Sequence, residues 1–111
     1  MIARIWRGQA TTENAPHYRK HATERVLPSL WKLRGHQGAY LLSRQTDDQV
    51  EFLAVTLWDS IDSIKAFAGD DPETAVVEPE ARAVLTGFDD FARHYEVICA
   101  SHASSPGRSD R

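Results

Sequence analysis

The sequence predicts an α+β fold with the element order β-α-β-β-α-β, and three observations lead to this prediction. Segments that alternate between apolar and polar residues lie near both ends of the chain, at 2–8 and 88–99. Two further strand-like segments, 38–45 and 50–58, are separated only by a polar turn, which is typical of a hairpin. Amphipathic segments with helical spacing occupy the two longer intervals that remain.

The first half of the chain begins with strand one at residues 2–8 and continues into a helix. Apolar residues then recur every four positions and form one helix stripe: Tyr18, Ala22, Val26 and Leu30. Pro28 is expected to kink or restart this helix, because proline lacks the amide hydrogen that the helix needs. Gly35 is a natural residue after the helix end, since it adopts positive φ without steric cost.

The second half begins with the predicted hairpin and continues into a helix that Asp59 or Ser60 caps. The buried stripe of this helix is expected to contain four apolar residues: Ile61, Ile64, Phe67 and Ala68. Gly69 ends it, and a second helix start is expected at 71–73, where a proline follows an aspartate. Strand four follows at 88–99, with an irregular beginning.

Length and composition indicate one soluble globular domain of 111 residues, in which 41% are hydrophobic and 26% charged. We expect a single domain at 1–99 and a flexible, functionally silent polar tail at 100–111. The net charge of −3 excludes the basic stripe of a nucleic-acid-binding protein, and no apolar run is long enough to span a membrane. One cysteine, Cys99, and the absence of a signal-peptide pattern predict a cytoplasmic protein.

Sorting each strand by odd and even positions separates two unlike sets of residues. One set is small or aliphatic apart from one tyrosine: Ala3, Ile5, Ala39, Leu41, Leu53, Val55, Leu57, Tyr95, Val97 and Cys99. The other set mixes aromatic and polar residues: Arg4, Trp6, Tyr40, Leu42, Arg44, Phe52, Ala54, Thr56, Trp58, His94 and Glu96. A monomer rarely exposes so large an aromatic patch, so we expect both faces to be covered.

Helices of the same chain can cover only one face, and an identical chain is the simplest cover for the other. The sequence therefore predicts a homodimer through sheet faces. Parity alone leaves open which face meets the helices. We favour the arrangement in which the aromatic-polar face lies under the helices and lines a cleft, because ligand pockets are apolar with a few convergent polar groups.

The segments ARIWRG, GAYLLSR, FLAVTLWDSIDSIKAFAGDD, VVEPEARAVL and HYEV together resemble a known family. They are similar to small bacterial proteins of the antibiotic-biosynthesis-monooxygenase type, in the dimeric α/β-barrel superfamily with a ferredoxin-like fold. The resemblance covers about residues 1–98. It implies a pocket between helices and sheet, lined by the tryptophan that ends strand three, here Trp58. The haem-degrading branch has an asparagine on strand one and a histidine after the strand-three helix, and both are missing here, which disfavours haem.

His94 and Arg4 are the candidate catalytic residues. A neutral imidazole at His94 could take a proton from an acidic C–H or a phenol, and a guanidinium at Arg4 could hold an anionic oxygen. Alternatives are a structural His94 and a salt bridge of Arg4 with Glu96 or Glu51. The candidate substrate-binding residues suit a flat compound and share the predicted cleft: Trp6, Tyr40, Phe52, Thr56, Trp58 and His21.

The spacing of His17 and His21 could supply two metal ligands, but a site needs three or four, so no metal is predicted. No phosphate-binding loop occurs, and no cofactor is expected. The favoured hypothesis is a cofactor-independent monooxygenase, or a related proton-transfer enzyme, that acts on a small cyclic or aromatic compound. The alternatives are a non-catalytic dimeric protein that binds haem or another flat molecule, and a barrel with a filled interior.

Overall fold

The computed structural model describes residues 1–102 and confirms the α+β, ferredoxin-like fold, with an antiparallel sheet covered by helices on one face. The strands are β1 (Ile2–Thr11), β2 (His36–Thr46), β3 (Gln49–Trp58), β4 (Gly87–Phe88) and β5 (Arg93–Glu96). The helices are α1 (Ala15–His21), a π-helical turn (Ala22–Val26), α2 (Leu27–Leu30), α3 (Ile61–Ala68) and α4 (Pro79–Val84).

The sheet has the order β2-β3-β1, and both β4 and β5 pair with the free edge of β1. The predicted strand 88–99 is therefore divided into two short strands. Backbone groups between them are used elsewhere: the carbonyl of Asp89 accepts a hydrogen bond from the Trp6 indole at 2.8 Å, and the amide of Ala92 donates to Glu73 at 2.8 Å. The fourth strand is thus interrupted near Trp6 and resumes along β1 as β5.

The first helical layer changes its winding where the sequence predicts a kink. Pro28 has no amide hydrogen for the carbonyl of Glu24, and the preceding residue, Leu27, bonds to Ala22 five positions back. The helix resumes as α2 and buries Leu30 completely. Such π-helical turns are frequent at functional sites.

Helix α3 begins and ends where the sequence predicts, but its buried stripe is narrower than predicted. Ser60 caps α3 by accepting a hydrogen bond from the Ser63 amide at 3.2 Å, and Ile64 is fully buried, but Ile61 is exposed. The prediction that Ile61 belongs to the buried stripe is wrong, because this first residue of α3 is 38% exposed.

The predicted helix start at 71–73 is also wrong, and α4 begins only at Pro79. The side chain of Asp71 accepts from the Glu73 amide, which forms a local turn, and Thr74 makes a β-bridge with Phe91. Pairing with the 90–92 segment therefore uses backbone groups that a helix would need.

The strand register fixes the two faces of the sheet. In the β1–β3 pair, Arg4 lies opposite Thr56 and Trp6 opposite Ala54, and these residues face the helices, as favoured above. In the β2–β3 hairpin, however, Tyr40 lies opposite Val55 and Leu41 opposite Ala54. The β2 residues were assigned to the wrong faces: Tyr40, Leu42 and Arg44 lie on the open face. The reason is the two-residue turn, which pairs odd positions with even ones.

No helix within residues 1–102 is long and apolar enough to cross a membrane. Most of the predicted polar tail, 103–111, lies outside the described residues. The predicted domain 1–99 contains every helix and strand described above.

A candidate binding cavity under the helices

A cavity of about 80 Å³ lies between the helix layer and the sheet. The polar residues in its wall are Arg4, Tyr18, His21, Ser29, Thr56 and Glu78. The apolar wall includes Trp6 from β1, Phe67 from α3, and Val76 and Val77 from the segment before α4. An engineered apolar cavity of about 150 Å³ binds benzene, so the space in this conformation matches at most a one-ring ligand.

Arg4 places a positive charge in the cavity wall while only 4% of its surface is exposed. Its Nη2 donates to the Thr74 carbonyl at 2.7 Å, and the guanidinium carbon lies 5.3 Å from the centre of the Phe67 ring. The buried Nε has no hydrogen-bond partner, and within residues 1–102 no carboxylate forms a salt bridge with Arg4. Burial lowers the pKa of Arg4 to about 10, so the side chain is still a cation at neutral pH. An unpaired buried cation is suited to an anionic ligand oxygen.

His94 is the cross-strand neighbour of Arg4 on the same sheet face but does not line the cavity. Its Nε2 is buried and has no hydrogen-bond partner. Burial, and secondly the charge of Arg4, lower the pKa of His94, while the carboxylates of Glu73 and Asp71 oppose this change. The imidazole is therefore neutral at neutral pH. Glu96 shares this face but is exposed.

His21 lies at the last position of α1, in the cavity wall, with 8% of its side chain exposed. Its Nε2 lies 3.1 Å from Oε1 of Glu78. The contact has the distance of an ion pair without the angles of a hydrogen bond, so Nε2 remains unsatisfied as a donor or acceptor. His17, the other histidine of this helix, is exposed and does not reach the cavity.

Trp6 and Tyr18 form the aromatic side of the cavity. Trp6 is fixed by its hydrogen bond to Asp89, and its ring centre lies 6.3 Å from that of Tyr18. Burial raises the pKa of Tyr18 to about 12, so its phenol is neutral. Phe52 packs on the far side of Tyr18, at 4.7 Å between ring centres, and belongs to the core instead of the cavity wall.

The tryptophan that ends β3 does not line the cavity. Trp58 is fully buried behind Phe67, whose ring lies 6.1 Å away in a stacked orientation. Its indole donates to the Thr56 hydroxyl at 2.8 Å, and this bond orients a hydroxyl that does line the cavity. Trp58 thus acts as support for Thr56 and Phe67. Tyr40 lies on the open face and takes no part in the cavity.

A second group of aromatic rings lies next to the cavity. His36 is 7% exposed and is held between Trp31, at 4.5 Å, and Trp58, at 5.1 Å, measured between ring centres. Both ring nitrogens of His36 are buried without a partner, and burial lowers its pKa. This histidine is therefore neutral in the folded protein.

The residues around the cavity do not fit haem in this conformation. A tetrapyrrole needs a pocket several times larger than 80 Å³. No group of three or more metal-ligating side chains occurs within the part of the chain that the structure describes. The arrangement instead offers a guanidinium, a histidine–carboxylate pair and a hydroxyl around a small apolar space.

Four of the cavity residues, namely Arg4, Trp6, Thr56 and His21, are candidate site residues from the sequence, whereas Glu78 and Phe67 are not. Glu78 precedes a proline, a pattern that indicates only a helix boundary. Phe67 was assigned to the buried stripe of α3. No local sequence pattern distinguishes a core residue from a cavity residue on the same helix stripe. The two differ only in whether another side chain of the folded protein fills the space beside them.

Comparisons with known proteins agree with this architecture. No protein-family model and no curated protein matches the sequence. Among solved structures, the chain is similar to a protein from Deinococcus radiodurans that is described as an antibiotic biosynthesis monooxygenase. The two structures align with a TM-score of 0.66 at 14% sequence identity, and the alignment covers 95% of this chain and 100% of that one. MhuD, a haem degrader of Mycobacterium tuberculosis with two haems in its active site, aligns with a TM-score of 0.62 at 20% identity, over 92% of this chain and 100% of that one. The protein therefore has the fold of these small monooxygenase-type proteins over nearly its whole length.

Proposed function

We propose that the cavity under the helices binds a small cyclic or aromatic compound with an ionisable oxygen and catalyses its cofactor-independent oxygenation or a related proton transfer. The observation that carries this proposal is Arg4, a buried cation whose Nε has no partner and which faces an apolar cavity. Burying an unpaired charge is costly, and a bound anion offsets that cost. The fold shared with monooxygenase-type proteins is consistent with the proposal.

The proposed reaction begins with removal of a proton, which converts a phenol or an acidic C–H into an electron-rich anion. Arg4 holds the anionic oxygen with N–H donors, and a neutral histidine accepts the proton. The anion then reduces O₂ directly. In a full cycle a CH₂ group and O₂ give a carbonyl and water, so that no external reductant is required.

His94 is the base that follows from the strand pattern, and its ionisation state supports this role. It is neutral, and its Nε2 is free of other hydrogen bonds. His94 lies beside Arg4 and does not line the cavity, so the guanidinium of Arg4 would stand between its imidazole and a bound substrate.

A second candidate function is binding of haem or another flat molecule without turnover. The haem-bound structures of MhuD on the same fold favour it. The volume of the cavity opposes it, because about 80 Å³ is several times too small for a tetrapyrrole. Titration with haem distinguishes the two candidates: a shift of the Soret band at stoichiometric haem supports binding, and an unchanged band contradicts it.

Oxygen uptake with a panel of one-ring phenols and hydroquinones tests the main proposal. We expect uptake with at least one compound, and a loss of about tenfold to a hundredfold in kcat/KM in Arg4→Met, since hydrogen bonds to a charged group are lost. Arg34→Met, at an exposed loop position, is the matched control and is expected to match the wild type. Equal activity of Arg4→Met and the wild type would contradict the proposed role of Arg4.

We also propose that the working form is a homodimer in the cytoplasm. The open face of the sheet supports the dimer because it presents half-exposed apolar side chains that the helices of the same chain do not cover. The single cysteine, Cys99, is exposed and unpaired within the described residues, which supports a reducing compartment.

A further inference from the structure

Two polar pairs contribute residues to the cavity wall. Arg4 from β1 donates to the Thr74 carbonyl, and His21 from α1 contacts Glu78. Both Arg4 and His21 line the same small cavity. A one-ring ligand can therefore contact Arg4 and His21 at the same time.

We propose that His21, coupled to Glu78, is the proton acceptor for a phenolic or enolic hydroxyl whose oxygen binds Arg4. This inference rests on the proposed function and replaces His94 as the base.

The position of Glu78 supports a role beyond helix capping. It is the N-cap residue of α4, with extended backbone angles of φ −70° and ψ 157°. A side chain at this position normally accepts hydrogen bonds from the first turn, but the Glu78 side chain makes no such bond and instead contacts His21. The carboxylate is half-exposed, so it pairs with the imidazole and contacts water at the same time.

His21 separates the cavity from solvent. The same residue lines both the cavity and a groove on the outer surface. The charged or titratable residues of that groove are His17, Lys20, Glu24, Arg25 and Glu80. Arg25 and Glu80 face each other at 3.6 Å, and on the inner side the cavity adds Arg4 and the neutral phenol of Tyr18. Glu78 is the carboxylate in contact with the imidazole, and the outer groove connects the pair to bulk water.

Charge complementarity favours His21 over His94 as the base. His94 has the guanidinium of Arg4 as its cross-strand neighbour, whose positive charge opposes a proton there and is only partly offset by the carboxylates of Glu73 and Asp71. His21 instead has the carboxylate of Glu78 at 3.1 Å from its Nε2. In the proposed step the O–H bond breaks, the proton moves to an imidazole nitrogen of His21, and the electron pair stays on the oxygen, which Arg4 holds.

4-Nitrophenol is a suitable probe because only its phenolate absorbs strongly in the visible range. Binding is measured by quenching of tryptophan fluorescence, and ionisation of the bound probe by absorbance, at a pH one unit below the ordinary pKa of the free phenol. We expect the phenolate-to-phenol ratio of the bound probe to exceed that of the free probe by about tenfold or more.

Variants then distinguish the two histidines. We expect His21→Gln to bind the probe but to lower the bound phenolate ratio by about fivefold or more, and Glu78→Gln to lower it by about threefold. His17→Gln, at an exposed position of the same helix, is the matched control and is expected to stay within about twofold of the wild type. His94→Gln tests the alternative base. Because Glu78 is half-exposed, Glu78→Gln also tests the inference if the buried substitution at His21 prevents folding.

Three results would overturn the inference in different ways. If the phenolate-to-phenol ratio of the bound probe is unchanged in both His21→Gln and Glu78→Gln, these two residues are not the proton acceptor, and the proposed function is unaffected. A ratio lost only in His94→Gln assigns the base to His94. If the wild type does not bind 4-nitrophenol or any phenol of the oxygen-uptake panel, the proposed function fails and the inference fails with it.

Discussion

Arg4 is a charged side chain that the fold buries without a compensating carboxylate among the described residues. One hydrogen bond to the Thr74 carbonyl and contact with the Phe67 ring stabilise it only in part. Removing a charge from water costs several kcal/mol unless it is paired. The residue is therefore expected to reduce the stability of the free protein and to increase its affinity for anions.

The first prediction concerns stability of the Arg4→Met variant. We expect its free energy of unfolding to equal or exceed that of the wild type by up to about 2 kcal/mol, because an apolar side chain replaces an unpaired buried charge. Urea denaturation measures this difference, and Arg4→Lys, which keeps the charge, is the control. A loss of more than about 2 kcal/mol in Arg4→Met would mean that the guanidinium is chiefly structural.

A second prediction concerns pH and His36. Burial lowers its pKa below the ordinary value of 6.5, so at mildly acidic pH the unfolded chain binds a proton that the folded protein does not. Above pH 6.5 the neutral His36 therefore costs the protein no stability. As the pH falls below 6.5, the free energy of unfolding decreases by at most about 1.4 kcal/mol per pH unit for one such group. His94, whose pKa is also lowered, contributes in the same direction.

Urea denaturation at one pH above 6.5 and at one pH below it measures this loss of stability. His36→Phe is expected to reduce the loss of stability in acid, because phenylalanine keeps the ring packing against Trp31 and Trp58 without a titratable group. His17→Phe, at an exposed position, is expected to leave the loss unchanged. If His36→Phe loses as much stability in acid as the wild type, His36 is not the group responsible.

At the residue scale, strict alternation separates the side chains of β1 and β3 into two faces, and the favoured arrangement, with the aromatic-polar face under the helices, agrees with the structure. The prediction for Tyr40 is wrong because the two-residue hairpin turn pairs odd with even positions. It could not predict that Phe67 separates Trp58 from the cavity. That relation depends on the distance of α3 from the sheet.

At the scale of elements, the helix starts differ in how the chain satisfies their free amides. Ser60 caps α3 with its hydroxyl, whereas Asn14 occupies the same position before α1 and makes no side-chain cap bond. The sequence predicted the capping of α3 correctly. It did not predict the loop at 70–78, because bonds of that segment to 90–92 are non-local.

The third prediction follows from this contrast. Ser60→Ala is expected to lower the free energy of unfolding by about 1 kcal/mol, since the Ser63 amide loses its acceptor. Asn14→Ala is the matched control and is expected to change stability by less than about 0.5 kcal/mol. Thermal or urea unfolding measures both variants, and an equal effect of the two substitutions would contradict a special role for the Ser60 cap.

At the scale of the whole molecule, the open face of the sheet is the largest feature that the chain does not cover. The apolar residues of this face include Ala3, Ile5, Tyr40, Leu42, Leu53, Val55, Leu57 and Tyr95. At one end, Glu51 is bound by both Arg7 and Arg44, and these hydrogen bonds and charges lower the pKa of Glu51 below its ordinary value. An apolar centre with a charged border is typical of a protein–protein interface.

The fourth prediction tests this surface as a dimer interface. Val55→Glu is expected to convert a dimer into a monomer, because it places a charge at the centre of the apolar face. Analytical ultracentrifugation measures the mass, and Ile61→Glu, an exposed apolar position on the helix side, is the control that should remain dimeric. A wild-type chain that sediments as a monomer at micromolar concentration would contradict the proposed dimer.

The edge-to-face contacts of His36 with Trp31 and Trp58 give the protein a built-in optical reporter. A protonated imidazole quenches indole fluorescence in contact with it, and His36 contacts one exposed and one fully buried tryptophan. The third tryptophan, Trp6, lies in the cavity wall on a different strand. Emission from the unmodified chain therefore carries two separable signals, one that follows the proton on His36 and one that follows a ligand beside Trp6.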